Sequence, residues 1–284
     1  KTVGMFALAL WDKQERKLTL ARDRMGEKPL YYGWVAGASN ASTFVFGSEL
    51  KALKAYPGFD NAISRDALSL YLQYNYVPTP HSIYENIYKL EPGCCLSLTA
   101  AAAVTPLSVA PAVDAEYDGL TLHRWWSLAD AVKDGSKHSI QNEDDAIEGL
   151  DTRLRDSIRL QSIADVPLGA FLSGGIDSSA IVALMQSEAV SPVKTFTIGF
   201  AESEHNEAVY AKEVARHLGT EHTELYLSSS DALDVIPKLP DLHDEPFADS
   251  SQIPTFLVSQ MAKQHVTVAL SGDGGDELFG GYNR

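Results

Sequence analysis

Residues 171–179 read Phe-Leu-Ser-Gly-Gly-Ile-Asp-Ser-Ser, and these residue types at this spacing suit an oxyanion. The apolar run 168–172 predicts a short buried strand, and 180–185 predicts the opening of a helix. The loop 173–179 therefore lies where a strand ends and a helix begins. Unpaired N–H groups and the positive end of the helix dipole converge at such a place, which favours a group such as pyrophosphate. Gly174 and Gly175 let the backbone approach an anion closely. Ser173, Ser178 and Ser179 add hydroxyl donors. Asp177 would repel a phosphate unless a cation lay between them, so it points to a bound metal. A Ser-Gly-Gly turn by itself is also an ordinary tight turn. The string is not a Walker loop, which ends in Gly-Lys-Ser/Thr.

A second loop follows residues 266–270, a β-branched apolar run that predicts a strand. It reads Ser-Gly-Asp-Gly-Gly-Asp-Glu-Leu-Phe-Gly-Gly-Tyr over 271–282. Glycine loses the most backbone freedom on ordering. The carboxylates of Asp273, Asp276 and Glu277 repel one another. A cation or cationic ligand would offset that repulsion; a solvated acidic loop is the plainer alternative. Two glycine-rich loops, each after a buried strand, favour a shared ligand site, because open α/β sheets bind ligands beyond the carboxyl ends of their strands.

The first loop resembles the pyrophosphate loop of the ATP pyrophosphatases, which cleave ATP between its α and β phosphates. Together the loops look like those of the glutamine-hydrolysing asparagine synthase family (asparagine synthetase B-like). Residues 4–12, 21–32 and 47–53 are similar to the later half of that family's glutaminase domain, and 165–169, 196–200 and 213–222 to its synthetase domain. The resemblance implies a two-domain α/β and α+β protein. Residues 1–120 would be the C-terminal half of an Ntn-hydrolase glutaminase domain (α+β), 121–143 a linker, and 144–284 a partial parallel-sheet α/β ATP-pyrophosphatase domain (adenine nucleotide α-hydrolase-like).

The chemistry the resemblance implies is glutamine-dependent asparagine synthesis. Aspartate is activated by ATP as β-aspartyl-AMP, pyrophosphate leaves, and ammonia from glutamine displaces AMP. Ser173, Gly174, Gly175, Asp177, Ser178 and Ser179 would hold the pyrophosphate portion with Mg2+. The backbone around Phe171 and Leu172, with Ile198, would pack the adenine. Ser271 and Gly272 would touch the ribose or α-phosphate. Asp276, like Asp177, would stand near the metal. Asp273 occupies the place of a family glutamate that helps ammonia attack, a role that requires hydrogen-bond reach to the amine proton. Glu207 matches an acidic position near the substrate amine and reads equally well as a solvated helix residue.

The sequence also departs from the family. The family's glutaminase nucleophile is an N-terminal cysteine, whereas this chain opens at Lys1, and Cys94 and Cys95 lie far inside it. The expectation is a piece cut from a longer protein, with the glutaminase nucleophile and glutamine pocket outside it and no glutamine hydrolysis of its own. The arginine that grips the substrate carboxylate in asparagine synthases aligns with about Ser250. Two alternatives therefore stand beside asparagine synthesis: a same-fold amidotransferase for another carboxylate, and an inactive nucleotide-binding fragment.

Composition agrees with these limits. A net charge of −15 argues against a nucleic-acid surface, so the partners expected are small molecules: ATP, glutamine and aspartate or another carboxylate. No apolar stretch approaches the ~20 residues that span a bilayer. Adjacent Cys94 and Cys95 give no disulfide framework, which fits a reducing cytoplasm. A homodimer is an assembly the resemblance allows. His217 and His222 lack the spacing for a metal site.

The elements that must position the loops follow from periodicity. Alternation at Phe6, Leu8 and Leu10 and again at Leu18 and Leu20, around polar 13–17, predicts a hairpin. Residues 31–35 and 43–47 predict two further strands. Ser64 suits an N-cap for a helix carrying Leu68, Tyr71 and Leu72 on one face. Residues 100–111 read as a surface loop, and Trp125 and Trp126 as interdomain packing. Arg22, Asp23 and Arg24 read as a structural ion-pair network, with lining of an ammonia route as the alternative. Beyond 144 the period becomes helical, with Ile147, Leu150, Leu154 and Ile158 forming one stripe. Strands at 193–200 and 222–227 then alternate with helices at 207–218, 230–236 and 254–265, which predicts a parallel sheet covered on both faces.

Overall fold

The computed structural model describes residues 2–37, 42–200 and 206–282, which form two compact units. One unit is Lys1–Ser139 with Pro240–Asp249, and the other is Ile140–Leu239 with Ser250–Arg284.

The first unit contains the expected hairpin, β1 (Ala7–Asp12) with β2 (Lys17–Arg22). It continues with β3 (Tyr31–Ala36), β4 (Ser42–Gly47), α1 (Leu50–Lys54), α2 (Arg65–Tyr74), β5 (Ile87–Lys89), β6 (Cys94–Thr99), β7 (Ala115–Tyr117) and β8 (Leu120–Arg124). The strands form two antiparallel sheets, ordered β1-β2-β6-β8-β7 and β4-β3-β5. Leu20, Leu96, Leu98, Leu120 and Leu122 of one sheet pack against Tyr32 and Trp34 of the other. On the opposite face of β3, Tyr31 and Val35 meet Leu50, Leu53 and Ala67, as the two-residue period of a strand requires. The Ser64 hydroxyl caps α2 by accepting from the Ala67 N–H. The expected α2 stripe is only partly buried. Tyr71 joins the core with Ala67, but Leu68 and Leu72 are exposed, because the four-residue step from Ala67 to Tyr71 sets the packed face.

The charged string at 22–24 satisfies backbone rather than forming an ion-pair network. The Arg22 guanidinium donates to the carbonyls of Lys28, Leu90 and Gly26 at 3.0, 2.6 and 2.5 Å. The Asp23 carboxylate accepts from the N–H groups of Phe6, Glu27 and Lys28 at 3.2, 2.9 and 2.9 Å. Trp125 packs within this unit, stacked 6.3 Å from Phe6 with the Arg24 guanidinium 5.5 Å from its ring. The unit extends past 120, since β8 pairs with β6 from Leu120 to Arg124. Helix α3 (Leu128–Gly135), capped by Ser127, occupies much of the span read as linker. Residues 240–249 complete the unit from far along the chain. Asp244 accepts from the Leu50 N–H at 2.5 Å, capping α1, whose own Glu49 makes no side-chain cap. Glu245 is paired with Lys89 and accepts from the Ile83 N–H at 3.1 Å and the Tyr31 hydroxyl at 3.3 Å.

The second unit runs α4 (Glu143–Gln161), β9 (Leu168–Phe171), α5 (Ile176–Glu188), β10 (Lys194–Phe200), α6 (Glu207–Leu218), β11 (Glu221–Leu227), α7 (Ser229–Leu233), α8 (Leu239–Leu242, from which residues 240–242 pass to the first unit), α9 (Gln252–Ala262), β12 (Val268–Leu270) and α10 (Gly275–Phe279). Its sheet is parallel throughout, ordered β11-β10-β9-β12. Both faces are covered. Ala170 and Leu172 pack with Ile158, Val182, Ala211 and Ala215, while Phe171, Phe196 and Ile198 pack with Val258 and Met261. The α4 stripe is buried at Ile158, whereas Ile147 remains exposed, because only the helix's later turns reach the sheet core.

Candidate functional site

The glycine loops end adjacent parallel strands. β9 pairs with β12 from Leu168–Val268 to Ala170–Leu270, so their carboxyl ends lie side by side. After β9 the chain turns through Ser173 and Gly174, and Gly175 precedes α5. The helix thus begins four residues before the expected position at 180. Asp177, Ser178 and Ser179 belong to its first turn rather than to the loop, a turn whose N–H groups have no intrahelical acceptor. Gly174 adopts φ +80°, and a Cβ there would lie 2.7 Å from the Ala211 nitrogen and the Tyr210 Cβ. Its role is to seat the loop on α6.

The loop is organised by its own hydroxyls. The Ser178 hydroxyl lies 2.9 Å from that of Ser173 and accepts from the Ser173 N–H at 3.2 Å, while the Ser173 hydroxyl accepts from the Gly175 N–H at 3.2 Å. Ser178 is buried and holds the turn, whereas Ser173 is exposed and borders the cavity described below.

The two loops touch. A Cβ at Gly272 would lie 2.7 Å from the Ser178 nitrogen, and one at Gly275 would lie 2.5 Å from Asp177 Oδ2. At Gly272 the nearest atoms are backbone of the other loop, which leaves no room for a side chain, whereas at Gly275 the Asp177 carboxylate takes the space beside the chain. At the far end of the second loop, a Cβ at Gly281 would lie 1.9 Å from Asp276 Oδ1. The Ser271 hydroxyl donates to Asp273 at 2.9 Å.

Around this junction opens a cavity of about 620 Å³. It gathers Phe171, Leu172, Ser173, Gly175, Asp177, Ser178, Ile198, Glu207, Ser271, Gly272, Asp273 and Asp276 from the residues singled out in the sequence. Gly174 and Ser179 are not in its wall; the Ser179 hydroxyl is sealed in the interior without a partner. Phe196, Thr197, Pro254, Thr255 and Val258 also line it, residues that no motif in the sequence marks as part of a site. Their strand and helix were legible, but no local pattern says which residues of an element face a void.

The cavity has an apolar wall and a polar one. Phe171, Phe196, Ile198 and Val258 offer a surface suited to an aromatic ring, and the loops offer hydroxyls, N–H groups and carboxylates. Its described wall holds four carboxylates, of Asp177, Glu207, Asp273 and Asp276, and no Lys, Arg or His. Among the described residues no group of three or more His, Cys, Asp or Glu side chains is placed to hold a metal. A cation here would have only a pair of protein carboxylates and would take its other ligands from substrate and water, as Mg2+ does. No described helix is long and apolar enough to cross a membrane.

Residues 149–284 match the family model described as asparagine synthase, and residues 1–107 match that of a glutamine amidotransferase domain. The chain is 37% identical over 282 residues to a provisionally named glutamine-hydrolysing asparagine synthetase 2 of Methanocaldococcus jannaschii, covering 98% of this chain and 50% of that protein. It is 36% identical over 283 residues to glutamine-hydrolysing asparagine synthetase 1 of Bacillus subtilis, covering 100% and 40%. The chain thus spans half or less of the length of these curated relatives. Among solved structures, an NMN synthetase of Francisella tularensis is 18% identical with a TM-score of 0.35, covering 50% of this chain and 59% of that one, a likeness too slight to carry an argument.

Proposed function

This chain belongs to the glutamine-hydrolysing asparagine synthase family, and on that premise we propose that its second unit binds ATP in the loop cavity and activates a carboxylate there for amide formation. The observation that carries the proposal is the contact of Gly272 and Gly275 with the Asp177 turn. It joins two glycine loops into one cradle beyond parallel strands, where α/β sheets bind their ligands.

The adenine lies against Phe171, Leu172 and Ile198. The triphosphate runs over Ser173 and the first turn of α5, where free N–H groups and the helix dipole favour negative charge. Ser271 and Gly272 lie at the ribose and α-phosphate. Asp177 and Asp276 would hold Mg2+, and glycine leaves open the space beside each carboxylate. The ion would neutralise phosphate charge in a wall that otherwise carries only carboxylates.

The acceptor carboxylate attacks the α-phosphorus, pyrophosphate leaves, and an acyl-adenylate remains. Ammonia then attacks the acyl carbon and AMP departs. Asp273 takes a proton from the attacking amine, with the Ser271 hydroxyl holding its carboxylate in place. Glu207, in the first turn of α6, faces the substrate ammonium. The relatives' names favour aspartate as acceptor and glutamine as nitrogen donor. The first unit is read as the later part of an Ntn-type glutaminase domain and the second as an ATP-pyrophosphatase fold. Buried, unbridged Cys94 supports a reducing, cytoplasmic setting.

The test is pyrophosphate release from Mg-ATP with ammonium across a panel of carboxylic acids, beside calorimetry of Mg-ATP binding. Aspartate-dependent release is expected. Absence of Mg-ATP binding would reject the proposal.

A further inference from the structure

Thr197 on β10 is 4% exposed, yet it lines the cavity. Its hydroxyl has no hydrogen-bond partner among the described residues. Thr195, two residues earlier on the same face of β10, shows how such a group is ordinarily satisfied: its hydroxyl lies 2.9 Å from both the Thr220 hydroxyl and His222 Nδ1. A buried hydroxyl left without a partner is costly. Among the described residues, the sealed side-chain polar atoms without partners are Ser179 Oγ and His222 Nε2. The Thr197 hydroxyl is not among them, so it keeps access to space, and the cavity is the space it borders.

The strand period says which part of a ligand it meets. Phe196 and Ile198 face α9 and the apolar wall. The odd-numbered residues face the other way. A Cβ at Gly199 would lie 2.6 Å from Asn206 Oδ1 and 2.9 Å from the Ala208 Cβ, at the start of α6. The turn at Gly174 is seated on the same helix. Thr197 therefore stands on the side of the oxyanion loop, away from the apolar wall.

We propose that Thr197 is a ligand-recognition residue whose hydroxyl donates to a phosphate oxygen of the bound nucleotide. The inference rests on the ATP reading above and adds a contact that the loops alone do not supply. Hydroxyls that meet a charged acceptor strengthen binding by about tenfold or more.

The experiment is calorimetry of the full chain and its T197V and T197S variants with Mg-ATP and with adenosine, beside thermal melts of the unliganded proteins and of T195V. T197V should weaken Mg-ATP by about tenfold while leaving adenosine within about twofold, and T197S should retain wild-type affinity. Unliganded T197V should melt no lower than wild type, because it loses an unpaired hydroxyl, whereas T195V should melt lower. Unchanged Mg-ATP binding in T197V would overturn the inference. So would an equal loss for adenosine, or a fall in melting temperature matching that of T195V. Failure of the wild-type chain to bind Mg-ATP would instead reject the ATP reading, and this contact with it.

Discussion

Replacing Gly272 with alanine tests whether the two loops depend on each other. The new Cβ would lie 2.7 Å from the Ser178 nitrogen, 3.0 Å from the Asp177 carbonyl carbon and 3.1 Å from the Asp177 Cβ. Two of these atoms are backbone at the start of α5, so no side-chain rotation relieves the contact. Ordinary carbon contacts begin near ~3.5 Å, and the loops must separate by most of an ångström. Overpacking of this kind costs about 1–3 kcal/mol, and a chain this long should lose about 2–4 °C in melting temperature per kcal/mol. The displaced backbone is the proposed phosphate cradle, so Mg-ATP affinity should fall by about tenfold or more, equivalent to about 1.4 kcal/mol. Gly149→Ala is the control. Gly149 lies within α4 with nothing within 4 Å of an added Cβ, and alanine there should stabilise by about 0.5–1 kcal/mol. Differential scanning calorimetry and titration calorimetry read both effects. If Gly272→Ala melts and binds Mg-ATP like wild type, the two loops do not share a cradle.

Asp177→Asn should keep the fold and weaken Mg-ATP by about tenfold or more while removing the Mg2+ dependence of binding, as read by titration with and without the metal. Burial would raise the Asp23 carboxyl, but the N–H groups of Lys28, Glu27, Phe6 and Gly26 outweigh it and hold it below the usual carboxylate range. Its contribution is therefore complete above the unfolded value of about 3.9 and is lost as pH falls through the folded value. Asp23→Asn should be less stable than wild type by about 1–3 kcal/mol at pH 7, with the gap in urea midpoints closing toward pH 2. Glu245→Gln leaves Lys89 buried without its counter-charge and should cost about 3–5 kcal/mol, whereas Lys89→Met with Glu245→Leu should recover much of it. Denaturant midpoints of the single and double variants decide between these outcomes.

The local features of this protein were legible because local physics produces them. Alternation predicts the β1–β2 hairpin, Ser64 marks the start of α2, and the β-α alternation beyond 144 predicts the parallel sheet. The loop strings point to a candidate site because two glycine-rich, polar turns each follow a buried strand, although either turn alone has a plainer reading. Helix α5 starts earlier than periodicity indicates because Asp177, Ser178 and Ser179 carry turn chemistry that also suits the first turn of a helix. Other features depend on contacts that no periodicity encodes. Glu245 lies 162 residues from Ile83, to which it is hydrogen-bonded, and nothing in its neighbourhood assigns residues 240–249 to the first unit. Exposure of Leu68 and Leu72 depends on which face of α2 finds a partner.

Composition and short-range periodicity are enough to place two glycine loops after two strands and to show that they carry hydroxyls and carboxylates. The folded chain adds that the strands pair side by side, that Gly272 and Gly275 abut Asp177, and that Thr197 opens onto the same cavity. Strand order and the facing of side chains are set by packing across the chain, where each group's energy depends on neighbours distant in sequence.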